Sequence, residues 1–334
     1  MEAYIVDSYR RAVEAASGGK NTVIRDKNGN PSVMVVIPKF RLEDIDPSLG
    51  TGVHPAFIVH GKEVPEIYYP KFQNIVVGGC GVSQPGVDPA VNVNFDQARA
   101  YAMAKGPGWH LSSNAEWAAL TLWSWKNGTM PRGNNNFGCD IDAPYERGRE
   151  TAQDSNRTGR VATGSGPASW YHDGTPFGVA DMNGNIWEWQ DGFRTVGGRI
   201  WVVGEDGVPM NNFDTQNAKG NNAGWIDTGL CYNGNKLTKD AKATANCDTA
   251  FENIAGASGV TVPAYFKALA LAPVATGLKG DHIWTGTDFT QEYLPVRGGH
   301  WGDQANAGVF RLDVADVRSS ATWNVGFRAA YVPR

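Results

Sequence analysis

Arg297-Gly298-Gly299-His300-Trp301 and Gly326-Phe327-Arg328-Ala329-Ala330 frame about two dozen residues near the carboxyl end of this chain. Inside the frame, Arg311, Asp313 and Ala315 alternate with Leu312, Val314 and Asp316 until the pattern breaks, the period of a strand with one face buried and one open. From Val317 to Val325, a mixture of Ser, Ala, Thr, Trp and Asn follows neither a helical nor a strand period, which predicts a loop presented to solvent. The ends read as fixed and the outward positions between them as free.

Beyond that stretch, 334 residues allow one large domain or two ordinary ones, and 41% hydrophobic residues suffice for a substantial core. A formal net charge of -4 without clustered Lys and Arg gives no electrostatic footprint for nucleic acid. No apolar run is long enough to span a membrane, and Met1-Glu2-Ala3-Tyr4 does not open a secretory signal. The glycosylation patterns at Asn127 and Asn156 therefore carry no weight. Cys80, Cys139, Cys231 and Cys247 are too dispersed for a Cys-x-x-Cys metal or redox site. Buried or incidental thiols are expected, and Cys231 with Cys247 is the best candidate for a bridge. With 12 Trp beside 41 Gly and 18 Pro, the composition suits an irregular fold pinned by large aromatic anchors.

An apolar stripe at Ile5, Tyr9, Ala12, Val13 and Ala16 predicts a short amphipathic helix. Two β-rich runs, Thr22 to Arg25 and Val33 to Ile37, flank Asn28-Gly29, a strong hairpin signal. Asn94 with Gln97 caps a helix from Phe95 to Lys105, and Ser113 with Glu116 forms a capping box for Asn114 to Trp125. Trp117, Trp123 and Trp125 on the second helix read as core. Gly18-Gly19-Lys20 is similar to a phosphate loop, but Glu14 stands where the first glycine is required, so a turn is expected. From Thr195 to about Glu292 runs a Gly, Asn and Thr-rich insertion with one helix near Ala264 to Leu271.

Three signatures in order carry a resemblance: Val93 to Ala98 followed by Leu111 to Trp117, then Asp181-Met182-Asn183-Gly184-Asn185-Ile186-Trp187-Glu188-Trp189, then the carboxyl-terminal frame. Together they resemble the C-type-lectin-like fold in its formylglycine-generating-enzyme (sulfatase-modifying factor) version. The resemblance implies an α+β, loop-rich fold with short strands and two principal helices. It would divide the chain into an amino-terminal helix and hairpin segment, 1–70, and a domain, 71–334, that holds the insertion at about 195–292 and a variable region at about 297–330.

That fold hosts enzymes and binders, so the site must decide between them. The resembling enzymes work through a cysteine pair between Gly-Gly and Gly-Phe-Arg. Here Asp303 and Gly308 stand about where those thiols are expected, and neither supplies a soft sulfur ligand or a nucleophile. Related sulfoxide synthases use a His-rich iron site, and the six His show no such spacing. The end of the chain is instead similar to the variable region of a diversity-generating retroelement protein, in which adenine-containing codons are rewritten while a frame persists. Trp301, Ala305 to Phe310, Leu312, Arg318-Ser319 and Gly326 to Ala330 match such a frame. The positions implied to vary are His300, Gly302, Asp303, Arg311, Asp313, Ala315, Asp316, Ser320, Thr322 and Asn324, with Gln304 and Trp323 as further members. His300 and Asp303 read as binding contacts rather than a catalytic pair. Trp301, Phe310 and Phe327 are expected as buried anchors, with Arg297 and Arg328 paired or stacked inside.

The same resemblance implies a receptor-recognition or adhesion protein of a virion or cell surface. Its partner would be a protein or other receptor on a host or neighbouring cell; no nucleic acid, membrane span or cofactor is required, and oligomeric state is open. An altered or lost formylglycine-type enzyme is the alternative. Asp181, Asn183, Asn185 and Glu188 also place four oxygen-bearing side chains within eight residues, which suits calcium. The resembling enzymes would bind it through Asp181, the Gly184 and Ile186 carbonyls and Glu188. The bland reading is an Asx-turn before a strand in which Trp187 and Trp189 face opposite ways.

Overall fold

The computed structural model describes residues 7–215 and 222–333, so the Ile5 end of the expected first helix lies outside the described residues. Ser8–Ser17 is helical, capped by Asp7, and ends at Gly18 with φ 61°, which makes Gly18-Gly19-Lys20 the expected turn. Asn21–Arg25 and Pro31–Pro38 pair as the hairpin signalled by Asn28-Gly29, from Asn21 opposite Val35 to Arg25 opposite Pro31. This hairpin continues into Glu66–Pro70, and the final strand, Ala329–Tyr331, enters between Glu66–Pro70 and Trp109–Leu111. Strands within residues 21–38 and 329–331 thus share one sheet.

Both capped helices form. Asn94 accepts a hydrogen bond from Gln97 N at 2.9 Å while Gln97 returns one from Asn94 N at 3.0 Å, starting Phe95–Met103. Ser113 and Glu116 exchange the same pair at the start of Asn114–Lys126. The second helix is enclosed on nearly every side, with Trp117 fully buried, whereas Trp123 and Trp125 are only half-buried at its carboxyl end.

A second sheet carries the stretch expected to vary. Glu292–Gly298 pairs with Gly308–Asp316 on one side and with Phe193–Val196 on the other. Trp187–Trp189 also joins Glu292–Gly298 antiparallel and Val325–Phe327 in parallel, closing the frame around the loop at 317–324. The residues expected as an insertion extend this same sheet, through Arg199–Glu205, Trp225–Asn233 and Lys236–Thr238. The helix expected there is short, Ala264–Ala268. Its following carbonyls are structural: Leu269 accepts from Asn114 Nδ2 and Ala270 from Arg297 Nη2, each at 2.9 Å.

Two expectations need correction. Trp187 and Trp189 share one face, since alternate strand residues point the same way, and both pack with Val296, Val325 and Phe327. Cys231 and Cys247 are free buried thiols, like Cys80 and Cys139, and burial pushes the Cys231 thiol up to about 12.

Glu188, between the two tryptophans, faces the opposite way and meets Arg328. Its carboxylate accepts Arg328 Nε at 2.6 Å and Nη2 at 2.9 Å, with both side chains essentially inaccessible. Arg328 spends its remaining N–H groups on the carbonyls of Pro70, Lys71 and Ala180 at 3.0, 3.1 and 2.7 Å. Arg297 is equally buried but has no carboxylate. Asn114 Oδ1, Ala270 O and Phe310 O accept its hydrogen bonds, and burial lowers its pKa to about 10. Gly298 and Gly299 take φ 88° and 83°, a region that favours glycine, and a Cβ on Gly299 would come within 2.7 Å of the Ala307 Cβ.

Asp281 pins the start of the Gly308–Asp316 strand. Its Oδ2 accepts Phe310 N at 2.6 Å, and its Oδ1 lies 2.0 Å from where a Cβ on Gly308 would stand.

Removing one partner of the Glu188–Arg328 pair, as in Glu188→Gln or Arg328→Met, is expected to destabilise the fold by roughly 3–5 kcal/mol, because the other charge is left buried. Denaturant unfolding measures it; a loss near zero would show the pair to be dispensable. Burial, against the smaller opposing effects of the Phe310 N–H and Lys279, raises the Asp281 carboxyl to about 8. Its stabilising protonated form is complete below the unfolded carboxylate pKa and is lost as pH rises through the folded value. The melting temperature of Asp281→Asn relative to the unsubstituted protein should therefore rise between pH 5 and pH 8, chosen as roughly bracketing that window, and a constant difference would contradict it.

Candidate functional site

The frame behaves as its sequence implies. Trp301, Phe310 and Phe327 are buried, and Trp301 Nε1 donates to Asp154 Oδ2 at 3.1 Å. Phe310, Leu312 and Val314 point into the main core, which leaves Arg311, Asp313 and Ala315 on the opposite face of their strand.

The loop at 317–324 is fastened by its main chain. Ser320 N donates to Val317 O at 2.9 Å and Val325 N to Thr322 O at 3.2 Å. From outside the loop, Asn92 N donates to Thr322 O and Trp187 N to Asn324 O, both at 2.9 Å. The side chain that ties the loop down is Arg318, a frame residue, which bridges Asp96 at 2.9 Å and Glu292 at 3.0 Å.

The twelve positions implied to vary contrast with this. Their side-chain hydrogen bonds and ion pairs stay within the set or on its own backbone. Asp303 meets His300 through Nδ1 at 2.8 Å and the main-chain N at 2.7 Å, Asp313 accepts Ala315 N at 2.9 Å, and Thr322 donates to Asn324 at 2.9 Å. Asp316 is held by Ser320. Gln304 is fixed by its main-chain N, which donates to Asn135 O at 2.8 Å.

Their exposure differs from the simple expectation of outward side chains. Gln304 and Trp323 are open, Trp323 at 50%; His300, Gly302, Asp303, Asp313, Ala315, Asp316, Ser320, Thr322 and Asn324 are half-buried; Arg311 is 8% exposed. The strand face is crowded, with the buried Trp187 against it. Arg311 lies over the Trp187 ring at 5.0 Å. Burial works against ionisation of Asp303, but the hydrogen bond from His300 and the nearby Arg311 charge outweigh it and hold the carboxyl below its usual range. Burial pushes Asp313 up to about 7, with Arg311 opposing.

Sequence reading missed the rim. His300, Trp301 and Trp323 form an aromatic cluster with centroids 4.9 to 5.7 Å apart. Phe137 sits against Gly302 and carries the Arg157 guanidinium at 3.3 Å, while Arg160 Nη1 donates to Trp323 O at 3.5 Å. At the other end, Ala315, Val317, Arg318 and Ser319 border a recess of about 670 Å³ shared with Asn94, Asp96, Asp288 and Glu292. An aromatic in an Asn-rich loop and a lone Arg give no sequence signal of proximity to a strand so distant in the chain.

The set implied for calcium does not fit a hard cation. Gln73 Nε2 occupies the centre of it, donating to Asp181 O and Ile186 O at 3.2 Å and to Glu188 Oε1 at 2.9 Å. Asp181 Oδ2 accepts Gly164 N at 2.7 Å, and burial raises that carboxyl to about 6. Glu188 belongs to Arg328. Asn183 and Asn185 donate to Pro131 O and to Gln73 Oε1. Gly184 contributes its N–H, to Gly298 O at 3.0 Å. Amide and guanidinium donors thus stand where a cation would. Among the described residues no group of three or more His, Cys, Asp or Glu could hold a metal ion, and no helix is long and apolar enough to cross a membrane.

No curated protein matches the sequence. In solved structures the chain is similar to the Major Tropism Determinant U1 variant, with 12% identity, a TM-score of 0.35 and 90% of this chain matched to 63% of that one. It is also similar to the P3c variant, with 11% identity, a TM-score of 0.35, and 92% of this chain matched to 61% of that one. Treponema denticola variable protein 1 is similar with 14% identity, a TM-score of 0.36, and 94% and 99% covered. The chain thus spans less than two thirds of the first two, and overlap this loose says nothing of activity. The match to a family model is extensive: residues 16–332 fit the sulfatase-modifying factor enzyme 1-like domain. With its α+β, C-type-lectin-like architecture, the chain belongs to the sulfatase-modifying factor enzyme 1-like family.

Proposed function

We propose that this chain is a ligand-binding protein, of receptor-recognition or adhesion type, whose carboxyl-terminal recess carries residues exchanged by a diversity-generating retroelement. What carries the reading is the division of labour in residues 297–330. Frame side chains make the long-range bonds, as in Arg328 to Glu188, Trp301 to Asp154 and Arg318 to Asp96 and Glu292. The side chains of the twelve bond among themselves or to adjacent backbone, and main-chain groups hold their loop. A surface so built tolerates exchange, since a substitution that breaks no long-range contact usually costs within about 0.5 kcal/mol. The ligand would be a protein or other surface receptor, and the place of action a virion or cell surface.

The enzymatic alternative is disfavoured by chemistry. The segment contains no thiol, and a side chain at Gly308 would collide with the Asp281 carboxyl group that pins the strand. Restoring the family's sulfur there requires dismantling a buried contact.

Sequencing the 3′ end of the gene and its flanking DNA across the source population tests the reading. Substitutions should concentrate at 300, 302, 303, 304, 311, 313, 315, 316, 320 and 322–324, beside a near-identical template and a reverse transcriptase gene. Variation spread evenly over 297–330 with no adjoining template would contradict it.

A further inference from the structure

Three guanidinium groups lie buried around the frame, and one of them is unlike the others. Arg297 and Arg328 have acceptors for their donors. Arg311, 8% exposed, has no hydrogen-bond partner for Nε or Nη1 among the described residues. The nearest support is the Trp187 ring beneath it. Asp303 and Asp313 feel its charge but hydrogen-bond elsewhere, to His300 and to Ala315 N. A buried guanidinium whose donors lack acceptors has its desolvation uncompensated by hydrogen bonds in the free protein and is poised for an acceptor from outside.

We propose, resting on the diversified-binder reading, that Arg311 is the anchor of this variant's site and that its ligand is a polypeptide presenting an Asp or Glu side chain. A carboxylate matches the guanidinium in charge and in bidentate geometry. A cationic group would leave the donors vacant and add like charge beside them. A neutral carbonyl would accept a bond without balancing the charge. Asp303 and Asp313 interact with the charge of Arg311, but neither accepts a hydrogen bond from it, so its donors still lack an acceptor. The half-exposed Trp323, edge-on to His300 and tilted against Trp301, supplies an amphipathic wall for the flanking peptide.

The test pans a phage-displayed random peptide library against the full-length protein, with Arg311→Gln, Arg311→Lys and a variant carrying glycine at 320–324 in parallel. Peptides enriched on the unsubstituted protein should share an Asp or Glu at one aligned position. Arg311→Gln should weaken them by ~30-fold or more, as truncating a buried charge partner does, and Arg311→Lys by less. The melting temperature of Arg311→Gln should equal or exceed that of the unsubstituted protein, an outcome that a structural arginine would not give. Enriched peptides without an acidic position, or binding unchanged in Arg311→Gln, overturn the anchor and leave the binder reading intact. A marked loss of melting temperature in both Arg311 variants overturns it too. Retention of polyglucuronate with no peptide enriched overturns the polypeptide assignment. No enrichment above the glycine variant and no retained glycan would sink both readings.

Discussion

The structure depends on one buried ion pair. Glu188 and Arg328 meet with essentially no solvent exposure, and Arg328 also takes the carbonyls of Pro70, Lys71 and Ala180. A single guanidinium thereby joins the amino-terminal sheet, the Asp181 to Trp189 segment and the carboxyl-terminal frame. A buried pair of this kind is retained at a desolvation cost that only complete hydrogen bonding offsets. Here every donor is used, and Gln73 completes Glu188. With that junction fixed, Val325–Phe327 lies parallel to Trp187–Trp189, and the loop before it has both ends held whatever its side chains are.

Arg297 does related work without a counter-charge. Its guanidinium is satisfied by Asn114 and by the Phe310 and Ala270 carbonyls, so the helix Asn114–Lys126, the variable strand and the segment after Ala264–Ala268 converge on it. The residues between 195 and 292 are therefore integral to the frame. They extend the sheet and supply an acceptor to Arg297, which also bonds the strand Gly308–Asp316. The recess inherits rigidity from below, and its own side chains contribute little to it. That arrangement separates holding a shape from displaying a chemistry.

Much of this was legible in the sequence, because the informative signals were local. Asn94 with Gln97 and Ser113 with Glu116 cap helices through bonds three residues apart, and both helices begin as expected. Asn28-Gly29 fixed a hairpin, and the buried roles of Trp301, Phe310, Phe327, Arg297 and Arg328 follow from large side chains set among glycines. What stayed hidden involved partners far apart in the chain. Gln73 is a lone amide in the sequence, yet it fills the space where Asp181, Ile186 and Glu188 suggested a cation. Nothing near Ala270 announces an acceptor for Arg297. Arg311 alternates with apolar residues as an exposed strand position should, yet it is buried against the ring of Trp187, a residue far away in the chain.

The central claim is that residues 297–330 divide into a frame that holds the fold and a set that does not. A saturation scan of that stretch, reading folded protein by protease resistance at every position, tests it most directly. Near-neutral profiles are expected at most of the twelve positions, with steep losses at Arg297, Gly298, Gly299, Trp301, Phe310, Phe327 and Arg328. Equal sensitivity in the two classes would contradict it.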